Sequence, residues 1–312
     1  MEEDSEIEVM SEIHLGCPPA ATNDPFLSRF TFSFPSNTVS VDKDGDLLLP
    51  RRNYPTGPSF TVTIQHSITS NLRHVGLQVW KAQLVLSEFV LHKICTSSDF
   101  HGIVCLELGA GTGLLGILLA RVAKAIFLTD HGDEILGNCA KNLELNSSLF
   151  HPHNVVNVRE LNWMSDWPIQ DTHALSPLFM SSYCWNKQDF ELVKCASFIF
   201  AADVIYSDDL TIALFSMLRR VMSFGCDKVL YLGLEKRYNF SLDDLNVVAN
   251  GYTCFRSYVK EDEIGKQEKR SFVGKRIDVT QIPHYLKDYD RGEDVELWEI
   301  KYVLRLKFQC LI

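Results

Sequence analysis

The run Glu107-Leu108-Gly109-Ala110-Gly111-Thr112-Gly113 has the residue types of a nucleotide-binding turn. Glycine reaches left-handed φ values and keeps a Cβ out of the way where a backbone must approach a ligand. The apolar stretch 103–108 ahead of it suits a parallel strand buried on both faces, and 114–122 behind it suits the helix that follows. A second apolar stretch, 125–129, runs into Asp130. An acid at the end of that next strand can accept both hydroxyls of a ribose. Strand, glycine turn, helix and distal acid together read as a nucleotide pocket.

Two nucleotides fit. Gly111-Thr112-Gly113-Leu114-Leu115-Gly116 satisfies GxGxxG, so an NAD-dependent oxidoreductase is one reading. Glu107, two residues before the first glycine, favours another, because a carboxylate at the strand mouth repels a pyrophosphate and attracts a cation. S-adenosylmethionine (SAM) carries an ammonium and a sulfonium and no phosphate. Glu107, Gly109, Ala110, Gly111, Gly113 and Asp130 are therefore assigned to a SAM pocket.

The surrounding elements must hold that pocket. Residues 60–64 alternate as a strand, and 76–93 carry helical spacing with Val79, Trp80, Leu84, Phe89 and Val90 as an inward stripe. After 125–129 come a helix over 133–146 and a strand over 155–159. Residues 164–190, rich in Ser, Pro and Trp, read as an irregular insertion. A strand over 198–202 leads to a helix over 208–222 with acids in its first turn and arginines in its last, which suits the helix dipole. A strand over 229–234, a short helix over 242–249 and closing strands over 254–259 and 297–308 complete the pattern. Repeated β-α alternation predicts an α/β, Rossmann-like, seven-stranded and mostly parallel sheet with helices on both faces. Residues 1–58, acidic at the start and containing Pro18, Pro19, Pro25, Pro35, Pro50, Pro55 and Pro58, are expected to form a partly flexible arm, with 59–312 as the catalytic domain.

Composition narrows the class. The net charge of −10 counts against a direct nucleic-acid surface, because phosphate contacts need a basic footprint. No stretch has the length and apolarity of a membrane span. The acidic N-terminus without an apolar core is expected not to direct secretion. Nine scattered cysteines with no CxxC suit reduced thiols in cytosol or nucleus, and neither a zinc site nor another metal site is expected.

The motifs together resemble the seven-β-strand lysine methyltransferases of family 16. Those carrying the resemblance are Gly76-Leu77-Gln78-Val79-Trp80, the glycine loop, Leu161-Asn162-Trp163, Ala202-Asp203-Val204-Ile205-Tyr206 and the Glu235-Lys236-Arg237 segment. The resemblance implies a class I SAM-dependent fold over roughly 60–312, with SAM as cofactor and a lysine of one specific protein as substrate. A monomer is the family default; nucleus or cytoplasm is what the cysteines suggest, and no membrane partner is expected. Trp80, Asn162, Trp163 and Ala202 are implied to line the cofactor pocket, with Trp163 beside the adenine, where aromatic stacking on a base contributes roughly 1–3 kcal/mol. Asp203 and Tyr206 are implied to receive the target amine.

Chemistry agrees with those roles. A lysine with pKa near 10.4 must be held neutral to react, at about 4–5 kcal/mol at pH 7. Desolvation and a neighbouring cation lower that pKa, whereas Asp203 pulls the other way. Its expected role is therefore orientation of the amine and accommodation of the positive product, with Tyr206 offering a ring face or hydroxyl. Glu235 and Arg237 read equally well as a structural ion pair. The competing class is a nucleic-acid amino-methyltransferase, which places two prolines where Val204-Ile205 stand here.

Overall fold

The computed structural model describes residues 8–11, 13, 26–34, 58–165, 182–241, 246–261, 270–287 and 289–304. Its elements are β1 (Glu8–Met10), β2 (Phe26–Ser33), β3 (Ser59–His66), β4 (Thr69–Asn71), α1 (Lys81–Thr96), β5 (Val104–Leu108) and α2 (Leu114–Leu119). There follow β6 (Ala125–Asp130), α3 (Asp133–Leu145), β7 (Val155–Glu160), α4 (Lys187–Lys194), β8 (Phe198–Ala202), α5 (Asp208–Met222) and β9 (Val229–Glu235). The last are β10 (Asn239–Ser241), β11 (Asn246–Val248), α6 (Asn250–Tyr258), β12 (Val259–Lys260), β13 (Arg270–Ile277) and β14 (Val295–Leu304).

The central sheet runs β12-β13-β14-β9-β8-β5-β6-β7. Strands β9, β8, β5, β6 and β7 are parallel, and β14 runs antiparallel between β9 and β13. The expected mostly parallel sheet is present; the eighth strand is β12, a two-residue pairing at the edge. Alternation along β5 divides the core. Cys105 points to one apolar layer with α1 and α2, and Leu106 to the other with α5 and Trp298. Chain order reverses where β5 lies between β6 and β8, so the open crevice falls at their carboxyl ends.

Several expectations change. Residues 72–77 form a 3-10 turn, and Trp80 is the N-cap of α1 instead of part of its stripe. The helix is buried nearly all round from Ala82 to Leu91, which is why one stripe did not mark its start. Within 164–190, residues 166–181 lie outside the described residues, but α4 is a helix started by a reciprocal Asn186–Asp189 capping box. Residues 246–248 pair with 239–241, so the described part of the expected 242–249 helix is a strand. Residues 254–258 lie in α6, whose Phe255 is fully buried, instead of a strand. Strand β13 was not anticipated at all: Arg270, Lys275 and Arg276 mask the Phe272 and Gly274 positions that face inward. Of the described cysteines, Cys105 and Cys139 are buried, whereas Cys95, Cys195 and Cys226 are exposed.

Two polar devices brace the sheet's flanks. On α3, Asn142 and Asn146 bond the backbone of β3, each accepting one N–H and donating to one C=O, at Gln65 and Thr63. That covers the edge of the β2–β3 hairpin, whose Phe30 and Phe32 enter the core from the N-terminal arm. On α1, the fully buried Glu88 accepts N–H bonds from Tyr285 and Leu286 and pairs with Arg291 at 2.6 Å. Arg291 also donates to the carbonyls of Val279, Ile282 and Pro283. Removing one partner of such a buried pair strands the other charge. Glu88→Ala is expected to lower unfolding stability by about 3–5 kcal/mol, read as an earlier urea midpoint; an unchanged midpoint refutes the clamp.

Candidate functional site

The loop after β5 is built by glycines that cannot be replaced cheaply. Gly109, Gly111 and Gly113 have φ of +64°, +52° and +79°. A Cβ on Gly109 would lie 2.6 Å from Val204 Cγ1, and one on Gly111 would lie 2.9 Å from the carbonyl oxygen of Gly76. Gly111 therefore packs against the segment leading to Trp80, not against open ligand space. Ala110 N–H donates to Thr129 O at 2.9 Å, and buried Gln83 on α1 holds Ala110 O at 3.3 Å. Nothing in its local sequence marks Gln83; only the packing of α1 on the loop gives it that contact.

Two carboxylates end the flanking strands. Asp130 accepts the N–H groups of Gly111 and His131, both at 2.8 Å, one on each oxygen. Burial raises its pKa, and those two donors pull it back. Glu107 is 1% exposed and lies under the first turn of α2, where a Cβ on Gly116 would stand 2.8 Å from its Oε2. Burial first, then the Asp130 charge, pushes its pKa well above the usual range, against the Gly116 N–H. Glu107 thus stands behind the loop, where burial favours its neutral form, and not as an open anion at the strand mouth.

One aromatic wall faces the loop. The Trp163 ring lies 3.5 Å from a Cβ position on Gly109, and its indole N–H is buried with no acceptor among the described residues. Asn162 is half-buried at the rim, bonded to Met164 N and within 3.4 Å of His131 Nε2. Trp80 donates its indole N–H to Val75 O at 2.9 Å, which orients the ring at the start of α1. Ala202 ends β8, half-buried.

Asp203 follows directly. It has φ +58°, the one positive value at a described non-glycine residue. Such a conformation costs on the order of 1 kcal/mol and is held here by Asp203 N–H donating to Gly233 O at 2.9 Å. Its Oδ1 accepts from Arg237 at 3.1 Å, and its Oδ2 is buried with no partner among the described residues. The N-cap of α5 is Ser207, with Asp208 and Asp209 in the first turn, so Asp203 is not engaged in capping. Tyr206 is 39% exposed as a residue, but the desolvation of its hydroxyl end and the Asp130 charge push that hydroxyl up to about 12, against Arg237, and it stays protonated. A cavity of about 400 Å³ opens beside Tyr206, Asp208, Asp209, Arg237 and Tyr252. The Glu235–Arg237 pair is loose, at 3.8 Å; Glu235 is held instead by Lys81 at 2.7 Å. Neither Lys81 nor Tyr252 was singled out from the sequence, because their partners lie far along the chain.

The arrangement fits SAM. Asp130 keeps acceptor capacity at the strand end for ribose hydroxyls, Trp163 offers a flat face with a free donor, and the loop carries no Lys or Arg to neutralise a pyrophosphate. Asp203, with one oxygen to spare, can accept a hydrogen bond from an incoming amine.

Comparison with known proteins points the same way. A family model described as lysine methyltransferase matches residues 61–249. Methyltransferase-like protein 22 of Mus musculus is 30% identical over 305 residues, covering 96% of this chain and 72% of that protein. The Homo sapiens protein of the same name is 34% identical over 248 residues, 78% of this chain and 58% of its own length. Protein N-lysine methyltransferase METTL21A of Mus musculus is 28% identical over 214 residues, 67% and 84% of the two chains.

Gly111→Ala is expected to weaken SAM binding by at least tenfold in calorimetry, because both its φ and the Gly76 carbonyl oppose a Cβ; unchanged affinity refutes the loop assignment. Arrival of a cation should lower the raised pKa values of Glu107 and Asp130. SAM binding should then release protons and tighten as pH rises through the range where those acids titrate. The check is calorimetry in buffers of different ionisation enthalpy, and a buffer-independent heat sinks the idea.

Proposed function

We propose, for a chain that belongs to the lysine methyltransferase family, that the β8 edge receives the target lysine while the β5–β6 edge holds the methyl donor. The protein is a SAM-dependent protein-lysine methyltransferase. SAM, when bound, supplies a methyl carbon already activated by the sulfonium. Gly109, Ala110, Gly111, Gly113, Asp130, Asn162, Trp163, Trp80 and Ala202 are the residues that would surround it, and Glu107 would support the loop from behind. The chain's own task is then positioning.

Asp203 accepts a hydrogen bond from the target amine on Oδ2 and holds its lone pair in line. Tyr206 stays a neutral phenol and can offer its ring face or its hydroxyl to the amine. What carries this reading is the buried, partnerless Oδ2 of Asp203, one residue before the Val204 side chain that packs on Gly109. A buried carboxylate oxygen without a donor is costly unless a ligand satisfies it. The reading extends to a single protein substrate, met by a monomer in nucleus or cytoplasm. The oxidoreductase and nucleic-acid alternatives give way to it.

Purified enzyme, labelled SAM and lysate from cells lacking the enzyme should yield one labelled band whose mass spectrum carries methyl-lysine. Asp203→Ala should keep SAM affinity within about twofold yet slow that labelling by at least about 100-fold, in the range of lost positioning. Labelling at near wild-type rate would show that the amine binds elsewhere.

A further inference from the structure

Four charges alternate across the carboxyl edge of the sheet. Lys81 Nζ lies 2.7 Å from Glu235 Oε1, Arg237 lies 3.8 Å from Glu235 Oε2, and the same Arg237 nitrogen lies 3.1 Å from Asp203 Oδ1. Lys81 opens α1, Glu235 closes β9, Arg237 follows it, and Asp203 follows β8. The Asp203 side chain is 3% exposed and that of Arg237 32%. The Arg237 guanidinium also sits 4.6 Å over the Trp80 ring, which fixes it from the other side.

This placement bears on a conflict in the chemistry. A lone buried carboxylate beside a lysine stabilises the ammonium, and an ammonium has no lone pair with which to form the new N–C bond. A carboxylate already paired with a guanidinium is close to neutral as a unit, yet its second oxygen can still accept an N–H. We propose that Arg237 is a positioning residue that lets Asp203 orient the target lysine without holding it protonated. The proposal rests on the reading that Asp203 receives the amine.

The neighbouring groups leave that balance to Arg237. Lys81 and Glu235 compensate each other across 2.7 Å. Tyr206 is a neutral phenol, Asp130 is engaged by two backbone N–H groups, and Glu107 lies behind the loop. Asp208 and Asp209 on the first turn of α5 face the cavity and stay in place in every variant below. Removing the guanidinium therefore leaves one uncompensated anion at the amine.

The test is the pH profile of the maximal labelling rate, at saturating SAM and saturating purified protein of the kind that the wild type methylates, from about pH 6.5 to 10 around the lysine pKa. Arg237→Gln should move the apparent pKa up by about one unit, so that labelling is about tenfold slower at pH 7 and converges on wild type at high pH. Arg237→Lys, which keeps the charge, should keep the wild-type profile. SAM affinity should be unchanged in both. Arg237→Met, which keeps a stem over Trp80, replaces the Gln variant if that chain melts early. A Gln or Met profile parallel to wild type overturns the proposal, as does a Lys variant shifted equally or a Gln variant faster than wild type at pH 7. Failure of the underlying reading looks different: Asp203→Ala then labels as fast as wild type, and both ideas fall together.

Discussion

Three carboxylates end up at one edge of the sheet, Glu107 and Asp203 buried and Asp130 half-buried, and the site depends on how each is compensated. Isolated anions there carry a desolvation cost that no packing can offset. The chain compensates each differently. Glu107 is shut under α2, where burial favours its neutral form. Asp130 takes the N–H groups of Gly111 and His131, which also fixes the loop's path. Asp203 takes the Arg237 guanidinium on one oxygen and keeps the other. The first solution closes the loop from below, the second shapes it from the side, and the third leaves an acceptor beside it.

These solutions require rigid surroundings. Asp203 is positioned by Gly233 on β9, Arg237 by Trp80 at the start of α1, and Trp80 by the carbonyl of Val75. That last segment is itself held from the N-terminal arm: Gln78 donates to Val9 O and Ser70 Oγ, and accepts from Ser11 N. The arm thus reaches the segment before Trp80 through backbone pairing of β1 with β4. At the middle of α1, Glu88 and Arg291 fasten the segment before β14. Helix α1 links the two regions, so the orientation of Lys81 and Trp80 is tied to packing far from the cavity.

Apart from α4, the strands and helices that alternate through 103–235 could be read directly, because their apolar runs are bounded by glycine or by charged residues. Phe198–Ala202 and Asp208–Met222 have the bounds that pattern predicts. Reading failed where tertiary burial overrode pattern. Helix α6 looked like strand because Phe255 and its aromatic neighbours serve the core, and β13 looked like a charged loop because only alternate positions are inward. Glu235-Lys236-Arg237 looked like a local ion pair; its charges instead reach Lys81, 154 residues away, and Asp203, 34 residues away.

The sequence alone determined the fold class, the glycine turn and the acid at the end of the next strand, since each depends on residue type at short spacing; Asp203 and Tyr206 were singled out by the family resemblance. Only the tertiary structure decided the state of those groups. Whether Glu107 is charged, which oxygen of Asp203 is left over and what stands over Trp80 depend on distances between separate elements. Electrostatic energy in a low-dielectric edge is set by those distances and by solvent exclusion, and neither is written in the local order of residues.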